Sequence, residues 1–134
     1  MEKSIKKTRS SAYQIKPLLF QDIPQAIKLS NAEKWNQKEE DWTLLIQNPK
    51  NICLAAVDEE KIIGTGKAII YANKVAWIGM ILVEQSHRGR GVSKSILLRL
   101  FEHLNFIPSI KLDATPAGRA VYQKFGFKDE YIIH

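Results

Sequence analysis

Two arginines and two glycines alternate in the run Arg88-Gly89-Arg90-Gly91, which lies between an apolar segment and a segment with helical periodicity. The first turn of a helix leaves backbone N–H groups unpaired, and the helix dipole adds partial positive charge there. Glycines let the backbone approach an anion closely and adopt positive φ angles. The run therefore predicts a phosphate-binding turn that suits a pyrophosphate, with the full charges of Arg88 and Arg90 beside it.

The glycine spacing by itself leaves the phosphate-bearing cofactor open. Gly89 and Gly91 fit the first two positions of a dinucleotide fingerprint, but Lys94 occupies the third. No stretch of the chain follows the nucleotide-binding P-loop pattern, which ends in Gly-Lys-Ser or Gly-Lys-Thr. A plain strand–helix turn would also explain two glycines, so this run identifies no cofactor.

A second run near the C-terminus, residues 112–127, contains Tyr122 and then Gly126-Phe127. Together with residues 86–91, it resembles the two motifs of the GNAT N-acetyltransferase superfamily. These are R/Q-x-x-G-x-G/A after the fourth strand, and Tyr followed by two or three residues and Gly-Phe near the end. Their order and separation match, and the resemblance covers nearly the whole chain outside residues 1–12. The pattern is similar to that of a bacterial subgroup of small proteins.

The resemblance implies acetyl-coenzyme A as cosubstrate, a primary amine as acceptor and no metal. The pantetheine arm of the cofactor would enter a splay between the fourth and fifth strands, and backbone amides would hold the pyrophosphate. The cofactor-binding residues implied in this way are Ile81, Leu82, Val83, Arg88, Gly89, Arg90, Gly91, Val92 and Ser93. Core packing would also explain Ile81 and Val83, and both interpretations can hold at once.

Tyr122 is the general acid that the resemblance implies, because a phenol held near the sulfur can protonate the departing thiolate. A tyrosine packed at a helix end is the alternative. No general base is predicted, since the fourth strand carries no carboxylate and Glu84 is expected to face solvent. The acidic run at 39–41 is typical of a helix start.

Four aromatic side chains are candidates for an acceptor pocket, and the residues are Trp35, Trp42, Tyr71 and Trp77. Aromatic walls would suit an aliphatic or aromatic amine. Core positions on a helix face are the alternative for Trp35 and Trp42.

Hydrophobic periodicity and turn residues predict the elements that would position these side chains. The order is a strand (13–18), two helices (22–35, 36–45), three strands (52–57, 62–71, 75–83), a helix (92–104), a strand (110–112), a helix (117–124) and a strand (127–133). This is a mixed α/β (α+β) domain with a largely antiparallel sheet, and the GNAT fold implies helices on both faces. The element order also matches that superfamily.

Length and composition set further limits. The 134 residues suit a single domain, expected over 13–134, after a basic tail at 1–12 that we expect to be disordered. The lone Cys53 allows no internal disulfide and fits a reduced cytoplasmic setting. No apolar run is long enough to span a membrane. The net charge of +6 comes without a recognisable nucleic-acid-binding motif, so we do not expect that function.

Several positions depart from the family pattern. Ser86 stands where the family often has Gln or Arg, and Thr115 and Gly118 stand where many members have Asn and Ala. The chain also stops after one terminal strand, so we expect either truncation or completion of the sheet by a partner chain, and dimers are common in the family. With no base residue identified, a non-catalytic acyl-CoA-binding sensor or interaction module of the same fold is the alternative function.

Overall fold

The computed structural model describes residues 13–32 and 38–112. Their elements are β1 (Gln14–Pro17), α1 (Ile23–Ala32), α2 (Glu39–Gln47), β2 (Ile52–Asp58), β3 (Lys61–Tyr71), β4 (Val75–Val83), α3 (Val92–His103) and β5 (Ser109–Leu112). Short 3-10 turns at Phe20–Asp22 and Gln85–His87 lead into α1 and α3. The predicted tail at 1–12 and the predicted last helix and strand lie outside the described residues.

The five strands form one sheet in the order β1-β2-β3-β4-β5. The first three pairings are antiparallel and β4 pairs with β5 in parallel, with α3 as the crossover that a parallel pair requires. The predicted mixed, mostly antiparallel α+β architecture is therefore confirmed. The β4–β5 ladder runs from Val75 with Ser109 to Ile78 with Leu112, so within the described residues it stops before the last five residues of β4.

Carboxylates organise the two helix starts on one side of the sheet. Asp22 lies directly before α1, and its Oδ2 accepts a hydrogen bond from Leu19 N at 2.8 Å and pairs with Lys16. The second helix begins at Glu39 rather than Asn36, because Asp41 Oδ2 accepts a hydrogen bond from Lys38 N at 2.9 Å and closes the first turn there.

Alternating side chains of β2 divide the core into two clusters, one on each face of the sheet. Leu54 and Ala56 pack with α3, whereas Cys53 and Ala55 pack with α1 and α2. Apolar residues at spacings of three and four in the helical segment 92–104 predict one buried stripe. Most of that stripe is buried on α3, where Ile96, Leu97 and Leu100 have no exposed surface. Helices therefore cover both faces, as predicted.

A β-bulge in β4 lies opposite Gly66, where α3 packs against the sheet. Thr65 pairs with Leu82 and Lys67 with Gly79, so Gly66 alone faces two residues of β4. A Cβ on Gly66 would lie 2.4 Å from Ile96 Cγ2. Because Gly66 has no side chain, α3 can pack directly against the bulge.

Two absences hold within residues 13–32 and 38–112. None of their helices is long and apolar enough to cross a membrane. They also contain no group of three or more histidine, cysteine, aspartate or glutamate side chains that could hold a metal ion.

Candidate functional site

The turn between β4 and α3 carries both glycines of the arginine–glycine run. Gly89 has a φ of 87° and Gly91 a φ of 76°, which are conformations that other residues rarely adopt. A Cβ on either glycine would meet nothing within 4 Å. Glycine is therefore required here by backbone conformation and not by crowding, and the space around the turn is open to a ligand.

The N-terminus of α3 follows directly and is not capped by a side chain. Gly91 is the N-cap residue, and the first helical hydrogen bond runs from Ser95 N to Gly91 O at 3.0 Å. The amides of Val92, Ser93 and Lys94 precede that bond, so they have no partner within the helix. The buried side chain of Val92 anchors this turn to the core. The predicted pyrophosphate residues thus lie together in one uncapped helix start, with partial positive charge.

Arg90 reaches away from this helix start. Its Nη1 lies 3.1 Å from Asp58 Oδ2 at the end of β2, and its guanidinium carbon lies 5.5 Å from the ring centroid of Tyr13. The Tyr13 hydroxyl in turn lies 2.7 Å from Ser95 Oγ. The sequence predicts that Arg90 lies beside a phosphate. In the structure its guanidinium instead pairs with the carboxylate of Asp58, which connects the turn to β2.

Glu84 is held by three neighbours at the end of β4. It lies 2.8 Å from Lys61 Nζ, accepts a hydrogen bond from Ser86 Oγ at 2.6 Å and contacts His87 Nδ1 at 3.0 Å. The Lys61 hydrogen bond first, and the Ser86 hydrogen bond second, lower the pKa of Glu84 to about 2. Glu84 was expected to face solvent, and its side chain is partly exposed but bound by these three neighbours. A lowered pKa makes this carboxylate a poorer general base for an ammonium group near neutral pH.

The backbone of β4 turns alternately toward β3 and away from it. Glu84 N donates to Ile63 O at 2.7 Å, which makes this a hydrogen-bonded pair of the antiparallel ladder. Because hydrogen-bonded pairs alternate along the ladder, the backbone N–H and C=O of Leu82 also point to β3. The backbone N–H and C=O of Val83 point to the other side. Arg88 Nε donates to Val83 O at 3.2 Å on that side. Val83 therefore offers its backbone where the described ladder with β5 has ended.

Ile81, the remaining backbone residue of the predicted set, lies in the bulge. Its half-buried side chain packs against the α3 cluster, and its Cδ1 would lie 2.8 Å from a Cβ on Gly66. This contact fits the core-packing interpretation of Ile81 and leaves its backbone role a prediction.

The predicted aromatic pocket residues separate into two places. Trp77 is half-buried in β4, with Lys111 Nζ 5.9 Å from its ring centroid, and Tyr71 is exposed at the end of β3. Trp42 has no exposed surface and packs with the α1 and α2 cluster, so the structure places it in the core. Trp35 and the predicted acid Tyr122 lie outside the described residues.

Three residues of this site escaped sequence reasoning, and they are Tyr13, Asp58 and Lys61. Each contacts the region around the turn from a distant part of the chain; Tyr13 and Ser95, for example, are 82 positions apart. No local pattern marks such partners. For Asp58 and Lys61 the only signal in the sequence was a polar residue at the point where each strand meets the hairpin.

Comparison with known proteins adds a family assignment. The model of the Acetyltransferase (GNAT) family matches residues 17–127, which is most of the chain. No curated protein matches the chain in sequence.

Solved structures share the fold. A proposed acetyltransferase from Pyrococcus horikoshii is 29% identical with a TM-score of 0.76, and the match covers 89% of this chain but 44% of that one. This chain therefore spans less than half the length of that relative. A predicted acetyltransferase from Clostridium acetobutylicum, solved with acetyl-CoA, is 20% identical with a TM-score of 0.78, over 91% of this chain and 95% of that one. Glucosamine-6-phosphate N-acetyltransferase from Arabidopsis thaliana is 18% identical, with a TM-score of 0.77 over the same shares. Because the family model matches most of the chain, this protein belongs to the GNAT acetyltransferase family.

Proposed function

We propose that this protein is an acetyl-CoA-dependent N-acetyltransferase that moves an acetyl group to a primary amine by direct attack within a ternary complex. Its family uses acetyl-CoA, which supports the choice of cosubstrate. The observation that carries the proposal is the uncapped start of α3 behind Gly89 and Gly91. The lone, buried Cys53 is compatible with the reduced cytoplasmic setting that we also propose.

The described residues fit the phosphate end of this cosubstrate. The amides of residues 92–94 supply donors, the two glycines leave open space, and the Arg88 side chain is exposed beside them. Further along, the outward N–H of Val83 provides a donor for an amide-containing arm, while its carbonyl oxygen already accepts a hydrogen bond from Arg88 Nε at 3.2 Å. In this proposal the side chain of Arg90 stabilises the turn, and only its backbone amide contributes to pyrophosphate binding.

In the proposed reaction the neutral amine attacks the thioester carbonyl carbon. A C–N bond forms, the C–S bond breaks, and the leaving thiolate takes a proton from the phenol of Tyr122. The nitrogen of the new amide loses a proton to solvent, because no described side chain is assigned as base, and Tyr122 regains its proton from solvent. Holding the two reactants together supplies much of the rate.

The first experiment is a calorimetric titration of the protein with acetyl-CoA. We expect micromolar binding that is lost in Gly89→Val and Gly91→Val variants, with melting curves to confirm that the variants are folded. Absence of binding by the folded parent chain would refute the proposal. An amine panel monitored by release of free thiol then tests catalysis.

The alternative is an acyl-CoA-binding module without catalysis. It is favoured by one observation, namely that Glu84, the nearest carboxylate to β4 in the chain, is bound by Lys61 and Ser86. Tyr122→Phe separates the two functions. An enzyme should lose turnover at unchanged acetyl-CoA affinity, whereas a binding module should be indifferent.

A further inference from the structure

Tyr13, the residue before β1, contacts the first turn of α3. Its hydroxyl lies 2.7 Å from Ser95 Oγ and donates a longer hydrogen bond of 3.4 Å to Gly91 O. A hydroxyl has one proton, so Ser95 Oγ is the donor of the shorter bond while Tyr13 donates to Gly91. The start of α3 is thereby bonded to a side chain 78 positions earlier in the chain.

The ring of Tyr13 is restrained by contacts of its own. It is half-buried and packs against the core cluster to which α3 contributes. The guanidinium carbon of Arg90 lies 5.5 Å from the ring centroid, and Asp58 holds that guanidinium at 3.1 Å from its Oδ2. Because the ring is restrained, the hydroxyl is presented to Gly91 from one direction.

The carbonyl of Gly91 belongs to the same peptide group as the amide of Val92. A peptide group is planar and trans, so its C=O and N–H point in opposite directions. Gly91 O accepts hydrogen bonds from Ser95 N at 3.0 Å and from the Tyr13 hydroxyl, which direct it toward the helix. The N–H of Val92 therefore points away from the helix, where a phosphate would approach it. Hydrogen bonds to a carbonyl also polarise the peptide and strengthen its N–H as a donor.

We infer that Tyr13 is a positioning residue for the pyrophosphate of acetyl-CoA, and that it orients and polarises the amide of Val92 through the carbonyl of Gly91. The inference rests on the proposed function, in which amides at the start of α3 hold the pyrophosphate. Tyr13 needs no contact with the ligand, because its effect passes through the peptide between residues 91 and 92. The N-terminal edge of the sheet thus takes part in cosubstrate binding, although β1 and β5 lie at opposite ends of the strand order.

The test compares acetyl-CoA binding by the parent chain and by Tyr13→Phe, which loses the hydroxyl and keeps the ring beside Arg90. We expect the dissociation constant from calorimetric titration to rise about threefold to tenfold. Ser95→Ala removes the 2.7 Å partner of the hydroxyl and should also weaken binding. The double variant should lose less affinity than the two single losses combined, because both changes act on one hydrogen-bond chain.

The amide of Val92 gives a readout that a purely structural role of Tyr13 would leave unchanged. In amide NMR spectra of the ligand-free proteins, its proton resonance should move upfield in Tyr13→Phe, because the peptide is less polarised. Saturation with acetyl-CoA should move the same resonance downfield in the parent chain and by a smaller amount in the variant.

Thr43→Val is the control, because it removes a hydroxyl that donates to Glu39 O at 2.9 Å within α2. It should change neither the dissociation constant nor the Val92 resonance. An unchanged dissociation constant in Tyr13→Phe, an unchanged Val92 resonance, or fully additive losses in the double variant overturn this inference alone. Absence of acetyl-CoA binding by the folded parent chain overturns the proposed function and this inference together.

Discussion

The guanidinium of Arg90 lies 3.1 Å from the carboxylate of Asp58, so the turn before α3 is bonded to the end of β2. Arg90 also stacks on Tyr13, whose hydroxyl reaches Ser95 in the first turns of α3. His87 Nε2, on the other side of the turn, lies 3.7 Å from the same Asp58 oxygen. Asp58 therefore contacts two residues of the turn at once and ties the turn before α3 to the end of β2.

Replacing Asp58 by Asn should weaken acetyl-CoA binding by about threefold to tenfold, because the turn loses an ion pair that holds its backbone. Calorimetric titration measures this change. Glu60→Gln is the matched control, since it removes one carboxylate from an exposed position of the same hairpin. Tighter binding in Asp58→Asn would contradict the prediction and would mean that Asp58 withholds the Arg90 charge from the phosphates.

Gly66 and Gly79 should respond differently to alanine. A Cβ on Gly66 would lie 2.4 Å from Ile96 Cγ2, so Gly66→Ala forces α3 away from the sheet and should destabilise the fold by about 1–3 kcal/mol. A Cβ on Gly79 would lie at an ordinary 3.4 Å from Lys67 Cε, so Gly79→Ala should unfold at nearly the parent urea concentration. Equal midpoints for the two variants would show that α3 is not packed as closely as described.

Stability should fall in acid through Glu84. Its pKa is lowered from an ordinary value of 4.5 to about 2. The contribution is therefore complete above about pH 4.5 and is lost as the pH falls toward 2. Because the side chain is partly exposed, the effect should be on the order of 1 kcal/mol.

Urea unfolding of the parent and of Glu84→Gln at pH 6 and pH 3 measures this contribution. The variant should be less stable at pH 6, with a smaller difference between the two pH values. Glu102→Gln is the control, because its ion pair with Arg99 lies on the surface of α3. A parent and a Glu84→Gln variant with the same acid sensitivity would refute the assignment.

Cys53 should resist thiol reagents while the chain is folded. Burial raises the pKa of its thiol to about 11, with Lys67 opposing the change, so little reactive thiolate exists near pH 8. Alkylation followed by mass spectrometry reports on this residue alone, since the chain has one cysteine. We expect slow labelling at pH 8 that becomes rapid in denaturant, and fast labelling of the folded chain would contradict the burial of Cys53.

The raised pKa also has a consequence in alkali. The unfolded thiol ionises from its ordinary value of 9.0, whereas the folded thiol ionises near 11. The stability contribution of Cys53 is therefore complete below about pH 9 and declines as the pH rises toward 11. A Cys53→Ala variant should lack this part of the alkaline loss.

The sequence by itself determined the elements with strong local signals. The stripe of α3 recurs at spacings of three and four, so its buried members, such as Ile96 and Leu100, could be named in advance. The bounds of β4 were predicted as observed, because an apolar run between turn residues is a local pattern. Gly89 and Gly91 were predicted as the turn for the same reason, since positive φ restricts the residue type at its own position.

The tertiary structure alone decided which side chains meet across the sheet. Arg90 pairs with Asp58, 32 positions away, and Lys67 lies over Gly79 because the bulge shifts the register between β3 and β4. From the sequence, Trp42 could line a pocket or lie in the core. The packing of α2 on the sheet buries it completely. Periodicity assigns a residue to a face, but strand register and helix placement depend on contacts between distant segments, and these decide what each side chain touches.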